Sequence, residues 1–233
     1  MQAGFLPGML GLHDDAHQVS LLLKPRLRGV LHEYSFFVSL GSGLMLVLAS
    51  SPDLARLASV VYASALAGLF GVSALYHRVT WPPRAGAWMR RLDHAMIFLL
   101  IAGTYTPISL VMLPRPKGLV LFALIWAASL AGIVFNLVWI NAPRWVSPTL
   151  YVVLGWIAIA ALPDLLASVR LSTLLLLTSG GVVYSVGALV YATRRPNPAP
   201  AWFGYHEVFH ALTIAAASMH FAAVASVVLP APA

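Results

Sequence analysis

Seven apolar runs, each about 20 residues long, alternate with short polar breaks along the chain. The hydrocarbon core of a bilayer is about 30 Å thick, and an α-helix crosses it in roughly that number of residues. Each run therefore predicts a spanning helix: Val30–Ala49, Leu57–His77, Leu92–Met112, Gly118–Ile140, Val146–Leu166, Leu171–Ala192 and Tyr205–Leu229. The breaks carry turn residues. Ser51-Pro52-Asp53 predicts a tight turn with Asp53 as a helix cap, and Trp81-Pro82-Pro83 interrupts a loop over Arg78–Arg90. Leu113–Lys117, Asn141–Arg144 and Arg194–Pro200 end further spans. A membrane β-barrel would instead show short segments of weak alternation. The expected fold is all-α: residues 1–27 form a tail with a short interfacial piece around Phe5 to Leu12, and 28–233 form one bundle of seven transmembrane helices.

Composition points the same way. Of 233 residues, 60% are hydrophobic and 9% charged, with a mean hydropathy of +0.85. A soluble domain carries about a quarter charged residues, so this surface has to face lipid. The absence of cysteine excludes disulfides, thiolate zinc sites, iron–sulfur clusters and a catalytic thiol. The net charge of +7 is spread over short loops rather than gathered in a stripe, which suits lipid headgroups and topology better than nucleic acid. No cleavable signal peptide is expected, because Asp14, Asp15, Lys24 and Arg26 occupy the first segment and no long apolar core precedes the first span.

Loop charge sets the expected orientation. The tail and the 78–91, 141–147 and 193–203 loops hold ten basic residues, whereas the opposite loops hold four: Arg56, Arg115, Lys117 and Arg170. By the positive-inside rule the N-terminus is cytoplasmic and the C-terminus outside, in a plasma (inner) membrane crossed several times.

Ionisable groups within apolar spans are costly and mark function by default. The second span ends at His77, the third begins with Asp93 and His94, and the seventh begins with His206, Glu207 and His210. The topology puts all of them at one depth on the cytoplasmic side. His206 and His210 lie one helical turn apart on one face, so together they can chelate a borderline metal such as Zn²⁺. His77 supplies a third ligand from another helix. Three neutral nitrogens leave a fourth position for water, the pattern of a catalytic zinc site, although copper, nickel or iron also accept three imidazoles. Asp93 suits a proton acceptor or a partner of a ligand, and Ser73, one turn before His77, can orient water or imidazole. His94 points about 100° from Asp93 on its helix and reads as a neighbour. His220 reads as a buried, hydrogen-bonded histidine, and His13 and His17 as solvated tail residues. Asp164 reads as a helix-end residue, while His32 and Glu33 open the first span and can join the network.

Residues 206–210 spell H-E-x-x-H, the motif that gives zincin proteases two ligands and a glutamate base. An intramembrane metalloprotease is therefore one reading, but no downstream Asp-Gly ligand motif follows. A longer resemblance spans nearly the whole chain. Ser73-Ala-Leu-Tyr-His77, the stretch Arg91-Leu-Asp93 through Gly103-Thr-Tyr-Thr-Pro107, and Tyr205-His206 through His210 followed by Ala215 to Phe221 resemble the signature blocks of the hemolysin III family. This is the bacterial branch of the progestin and adipoQ receptor family, also called the membrane homeostasis protein TrhA family, and it is related to adiponectin receptors and alkaline ceramidases. The resemblance implies seven helices with the N-terminus inside and zinc held by His77, His206 and His210. It also implies Asp93 acting near a zinc-bound water, with Ser73 in support. Lys24 to Gly29 stands where many members carry a Glu-x-x-Asn motif, and the position of Glu207 is variable, so Glu207 is expected to be dispensable.

The expected function is a zinc-dependent hydrolase that takes a lipid amide or ester from the inner leaflet, as the ceramidase likeness implies. A non-catalytic receptor or membrane-homeostasis sensor, stiffened by the same metal, is the alternative. Pore-forming cytolysis fits poorly, because seven apolar spans suit a resident membrane protein rather than a soluble toxin. Membrane lipids are the expected partners.

Overall fold

The computed structural model describes residues 25–139, 143 and 145–230. The interfacial piece expected near Phe5 to Leu12, and with it His13 and His17, lies outside the described residues. The helices are α1 (Val30–Ala49), α2 (Leu54–Arg78), α3 (Pro83–Pro107), α4 (Lys117–Val138), α5 (Val146–Gly155), α6 (Leu162–Ser168), α7 (Leu171–Thr193) and α8 (Tyr205–Val228). A π-helical turn, Ile108–Met112, continues α3, and a 3₁₀ segment, Trp156–Ala161, joins α5 to α6. Counting α3 with its π turn and α5 with α6 as single spans, seven helices among the described residues are long and apolar enough to cross a membrane.

Three sequence expectations need correction. The third span begins at Pro83 rather than Leu92, because proline fits the first helical position, where its missing N–H costs nothing. Residues 83–91, expected in a loop, are its first turns. The fifth span is not a continuous α-helix, and its 3₁₀ segment frees backbone groups that the Tyr105 hydroxyl takes up: it donates to the carbonyl of Gly155 at 2.8 Å and accepts from the N–H of Ala158 at 2.7 Å. In a bilayer, irregular backbone persists where protein groups replace the lost bonds in this way. Asp53 does sit at the N-cap of α2, but its side chain makes no capping bond.

The core is built around α3, the most buried span. On one side Phe70, Leu66 and Tyr62 of α2 pack with Leu100 of α3 and with Ala217 and Val224 of α8. On the other, Phe98, Ala102 and Tyr105 of α3 meet Ile125 of α4 and Leu154 of α5. Phe37, Val38, Met45 and Leu48 of α1 are exposed, as a lipid-facing surface requires.

The connectivity brings the start of α1, the end of α2 and the start of α8 to one end of the bundle, with Asp93 about three turns into α3. Arg28, Arg78, Arg84, Arg90, Arg91, Arg194 and Arg195 gather at this end. Arg56, Arg115, Lys117 and Arg170 flank the other, where Lys117 donates to both oxygens of Asp164 at 2.8 and 2.9 Å. Two backbone bonds, from Arg26 N–H to Ala201 and from Leu27 N–H to Trp202, fasten the segment before α1 to the α7–α8 connection.

Gly29, at the N-cap of α1, has φ of 81°, and a Cβ there would fall 2.6 Å from Cβ of His77. A left-handed backbone and a close approach both demand glycine. Gly29→Ala is therefore expected to destabilise the protein by about 1–3 kcal/mol, read as a lower thermal unfolding midpoint in detergent. The same substitution at Gly41, where a Cβ meets nothing within 4 Å, should not lower it.

Candidate metal centre

Two helices deliver the three imidazoles. His77 closes α2 facing inward, and His206 and His210 occupy successive turns at the start of α8. One ligand nitrogen from each lies within 4.8 Å of the others. The Nε2 atoms of His77 and His206 face each other at 3.1 Å, and the rings of His206 and His210 are 4.6 Å apart between centroids. His77 and His210 are buried and His206 is half-buried. Nδ1 of His210 is buried without a hydrogen-bond partner among the described residues. Nitrogens of three imidazoles that converge on one point suit a shared cation. The group can hold a metal ion.

Asp93 places a carboxylate oxygen 3.9 Å from Nε2 of His77 and neighbours Ser73. The Ser73 hydroxyl is also 2.8 Å from Nδ1 of His32. His32 is 2% exposed and stacks on His210, with ring centroids 3.7 Å apart and planes 9° from parallel. It thus holds the imidazole of His210 from one face and the hydroxyl of Ser73 from its edge. Glu33, the other residue at the start of α1, turns outward and pairs with Arg78 at 2.8 Å.

Glu207 has a different task. It is 1% exposed, and both oxygens are occupied: Oε1 takes the guanidinium of Arg28 and Oε2 the backbone N–H of Gly204. Through the second bond the Glu207 side chain caps the first turn of α8. A carboxylate so committed is poorly placed to act as the base of an H-E-x-x-H site. Its variable position suggested that it is dispensable; here it caps α8 and pairs with the half-buried guanidinium of Arg28.

His94 bonds the carbonyl of Arg90 at 2.7 Å and the hydroxyl of Tyr191 at 3.3 Å, so it is a neighbour of the cluster. His220 is half-buried and bonds the carbonyl of Leu177 at 3.1 Å, well down α8 from the cluster. A cavity of about 440 Å³ opens beside the site, with Asp93 and His206 in its wall. Sequence reasoning did not single out its arginines, Arg90, Arg91 and Arg194, nor the Arg28–Glu207 pair. The available signal was depth: all of them belong to the end of the bundle that holds the histidines.

Comparison with known proteins decides the family. Residues 21–221 match the haemolysin-III related family. The chain belongs to that family. Hemolysin-3 of Bacillus cereus is 30% identical over 204 residues, 86% of this chain and 90% of that protein. The Hemolysin-3 homolog of Bacillus subtilis (strain 168) is 31% identical over 153 residues, 66% of this chain and 68% of that protein. With seven apolar helices of spanning length, this family member is a multi-pass integral membrane protein.

Two variants separate the surroundings of the site. Partners that orient a metal ligand typically contribute 10–100-fold to affinity, so His32→Ala is expected to weaken metal binding about tenfold in a competitive chelator titration. Glu207→Gln is expected to cost about 2–4 kcal/mol, seen as a lower unfolding midpoint, with metal affinity unchanged.

Proposed function

We propose that this protein is a zinc-dependent membrane hydrolase of lipid amides or esters, working at the cytoplasmic face of a bacterial plasma membrane. One observation carries the reading: three imidazole nitrogens within 4.8 Å of one another share their surroundings with an aspartate and a sizeable cavity. Three neutral nitrogen donors suit zinc, and the family likeness favours it over copper, nickel or iron. When bound at His77, His206 and His210, such an ion supplies Lewis-acid activation of water and of the acyl oxygen.

The remaining work falls to side chains. Asp93 accepts the proton of the attacking water and returns it to the departing amine or alcohol as the acyl C–N or C–O bond breaks and a new C–O bond forms. Ser73, held by His32, orients Asp93. A second, apolar cavity of about 110 Å³ shares Ile97, Tyr151, Ala188 and Phe209 with the first, and offers room for part of an acyl chain. Arginines concentrated at the histidine end support a cytoplasmic position for the site.

A second reading, a non-catalytic sensor stiffened by its metal, draws on the way the cluster staples α2 to α8 with α1 stacked against it. The relative from Bacillus cereus carries a name that denotes haemolysis, but a bundle with this much lipid-facing surface favours residence in a membrane over attack from solution.

Metal analysis of the purified protein tests the centre. About one zinc per chain is expected, falling in His77→Ala, His206→Ala and His210→Ala, and unchanged zinc in all three sinks the proposal. Asp93→Ala is expected to retain zinc and lose hydrolysis of a short-chain ceramide or lipid ester by about 100-fold or more. A metal-loaded protein inert on all such substrates, whose membrane phenotype survives Asp93→Ala, would establish the sensor instead.

A further inference from the structure

Five acidic side chains fall among the described residues, and most are already engaged. Glu33 pairs with Arg78, Glu207 with Arg28 and Asp164 with Lys117, while Asp53 lies at the far end of the bundle. Asp93 belongs to the metal centre. Three arginines at the histidine end, Arg90, Arg91 and Arg194, have no carboxylate partner among the described residues, and all three line the 440 Å³ cavity. They come from two helices: Arg90 and Arg91 from α3, and Arg194 from the residue that ends α7. Arg91 is the most telling, for its guanidinium lies over the ring of Trp88, 4.5 Å from the centroid, and its Nε is buried with no hydrogen-bond partner among the described residues. A buried, charged donor without an acceptor is costly unless a ligand supplies one.

Asp93 is the one carboxylate among the described lining residues, so with neutral histidines the cavity keeps a surplus of positive charge. Guanidinium groups pair with phosphate in bidentate fashion and are more weakly hydrated than ammonium groups, which favours them in partly buried sites. The cavity also does not end at its polar wall. Through Ile97, Tyr151, Ala188 and Phe209 it adjoins the apolar cavity deeper in the bundle.

We propose that Arg90, Arg91 and Arg194 form a receptor for the phosphate head group of a membrane amphiphile, whose chain enters the apolar cavity. This deepens the hydrolase reading and rests on it for the substrate role: it makes the substrate an anionic lipid, with the head group at the arginines and the acyl carbonyl directed toward His206 and Asp93. Binding itself needs no turnover.

The test uses purified full-length, zinc-loaded protein in neutral detergent and calorimetric titration with dihexanoyl phosphatidate, dihexanoyl phosphocholine and inorganic phosphate. Phosphatidate is expected to bind about tenfold tighter than phosphocholine, a difference worth about 1.4 kcal/mol. Arg91→Gln and the exposed Arg194→Gln should each abolish that preference. Arg84→Gln, at the same end but outside the cavity wall, should keep it. Inorganic phosphate should bind at least about tenfold more weakly than phosphatidate. Equal affinity would overturn the lipid assignment in favour of a free phosphate ligand. Equal binding of phosphatidate and phosphocholine, or a preference untouched in both cavity variants, would overturn the site. Should Arg91→Gln fail to fold, Arg194→Gln alone decides. An active hydrolase without anion preference refutes this proposal and spares the hydrolase reading, whereas anion binding without hydrolysis does the reverse.

Discussion

The hydrocarbon interior of a bilayer offers no water, so each polar group carried into it has to find its partner within the protein. That constraint governs this bundle at every scale. Tyr105 fills the gap left where the fifth span departs from α-helix, and His220 takes up the carbonyl of Leu177 from the neighbouring helix. Thr104, Thr106 and Thr213 return their hydroxyls to carbonyls on their own helices. The histidine cluster is the case in which the demand is greatest, because Nδ1 of His210 and Nε2 of His32 are buried there without partners among the described residues. A cation at that point converts the conflict into coordination. The same ion would join α2 to α8 across the long connection between them.

Around the cluster, support and chemistry are divided among different residues. His32 and Ser73 fix the positions of groups that face the metal centre. Glu207 and Arg28 hold the start of α8. The leading segment is fastened twice to the α7–α8 connection, which brings Arg28 to Glu207 and lets Gly29 pass against His77. A residue such as Glu207 can therefore sit inside a catalytic-looking motif and serve architecture. A polar cavity lined by Arg90, Arg91 and Arg194 and an apolar one adjoin beside the site.

Much of this was legible in the chain. Hydropathy alone located seven spans, because lipid imposes a length of about 20 apolar residues that few other environments demand. Counting spans then put His77, Asp93, His206 and His210 at one depth, since each crossing reverses direction. The i, i+4 spacing of His206 and His210 placed them on one face. The start of α3 was misplaced because Arg90 and Arg91 look like loop residues to a hydropathy argument, although Pro82-Pro83 is also a helix-start signal. The break in the fifth span lies between Gly155 and Pro163, a helix breaker that the apolar run masks, and the hydroxyl of Tyr105 on a different helix takes up the freed backbone groups.

The sequence by itself therefore determined how many spans there are, how they alternate along the chain and which ionisable residues share a level. These follow from periodicity and length, which are local properties of a chain in a solvent without water. What the tertiary structure alone decided is which residues at that level touch. It drew His32 from a possible bystander to a ring stacked on His210, turned Glu33 outward to Arg78, and tied Glu207 to Arg28 across 179 residues. Helix rotation and neighbour choice depend on packing between faces, and depth in the membrane carries no information about either.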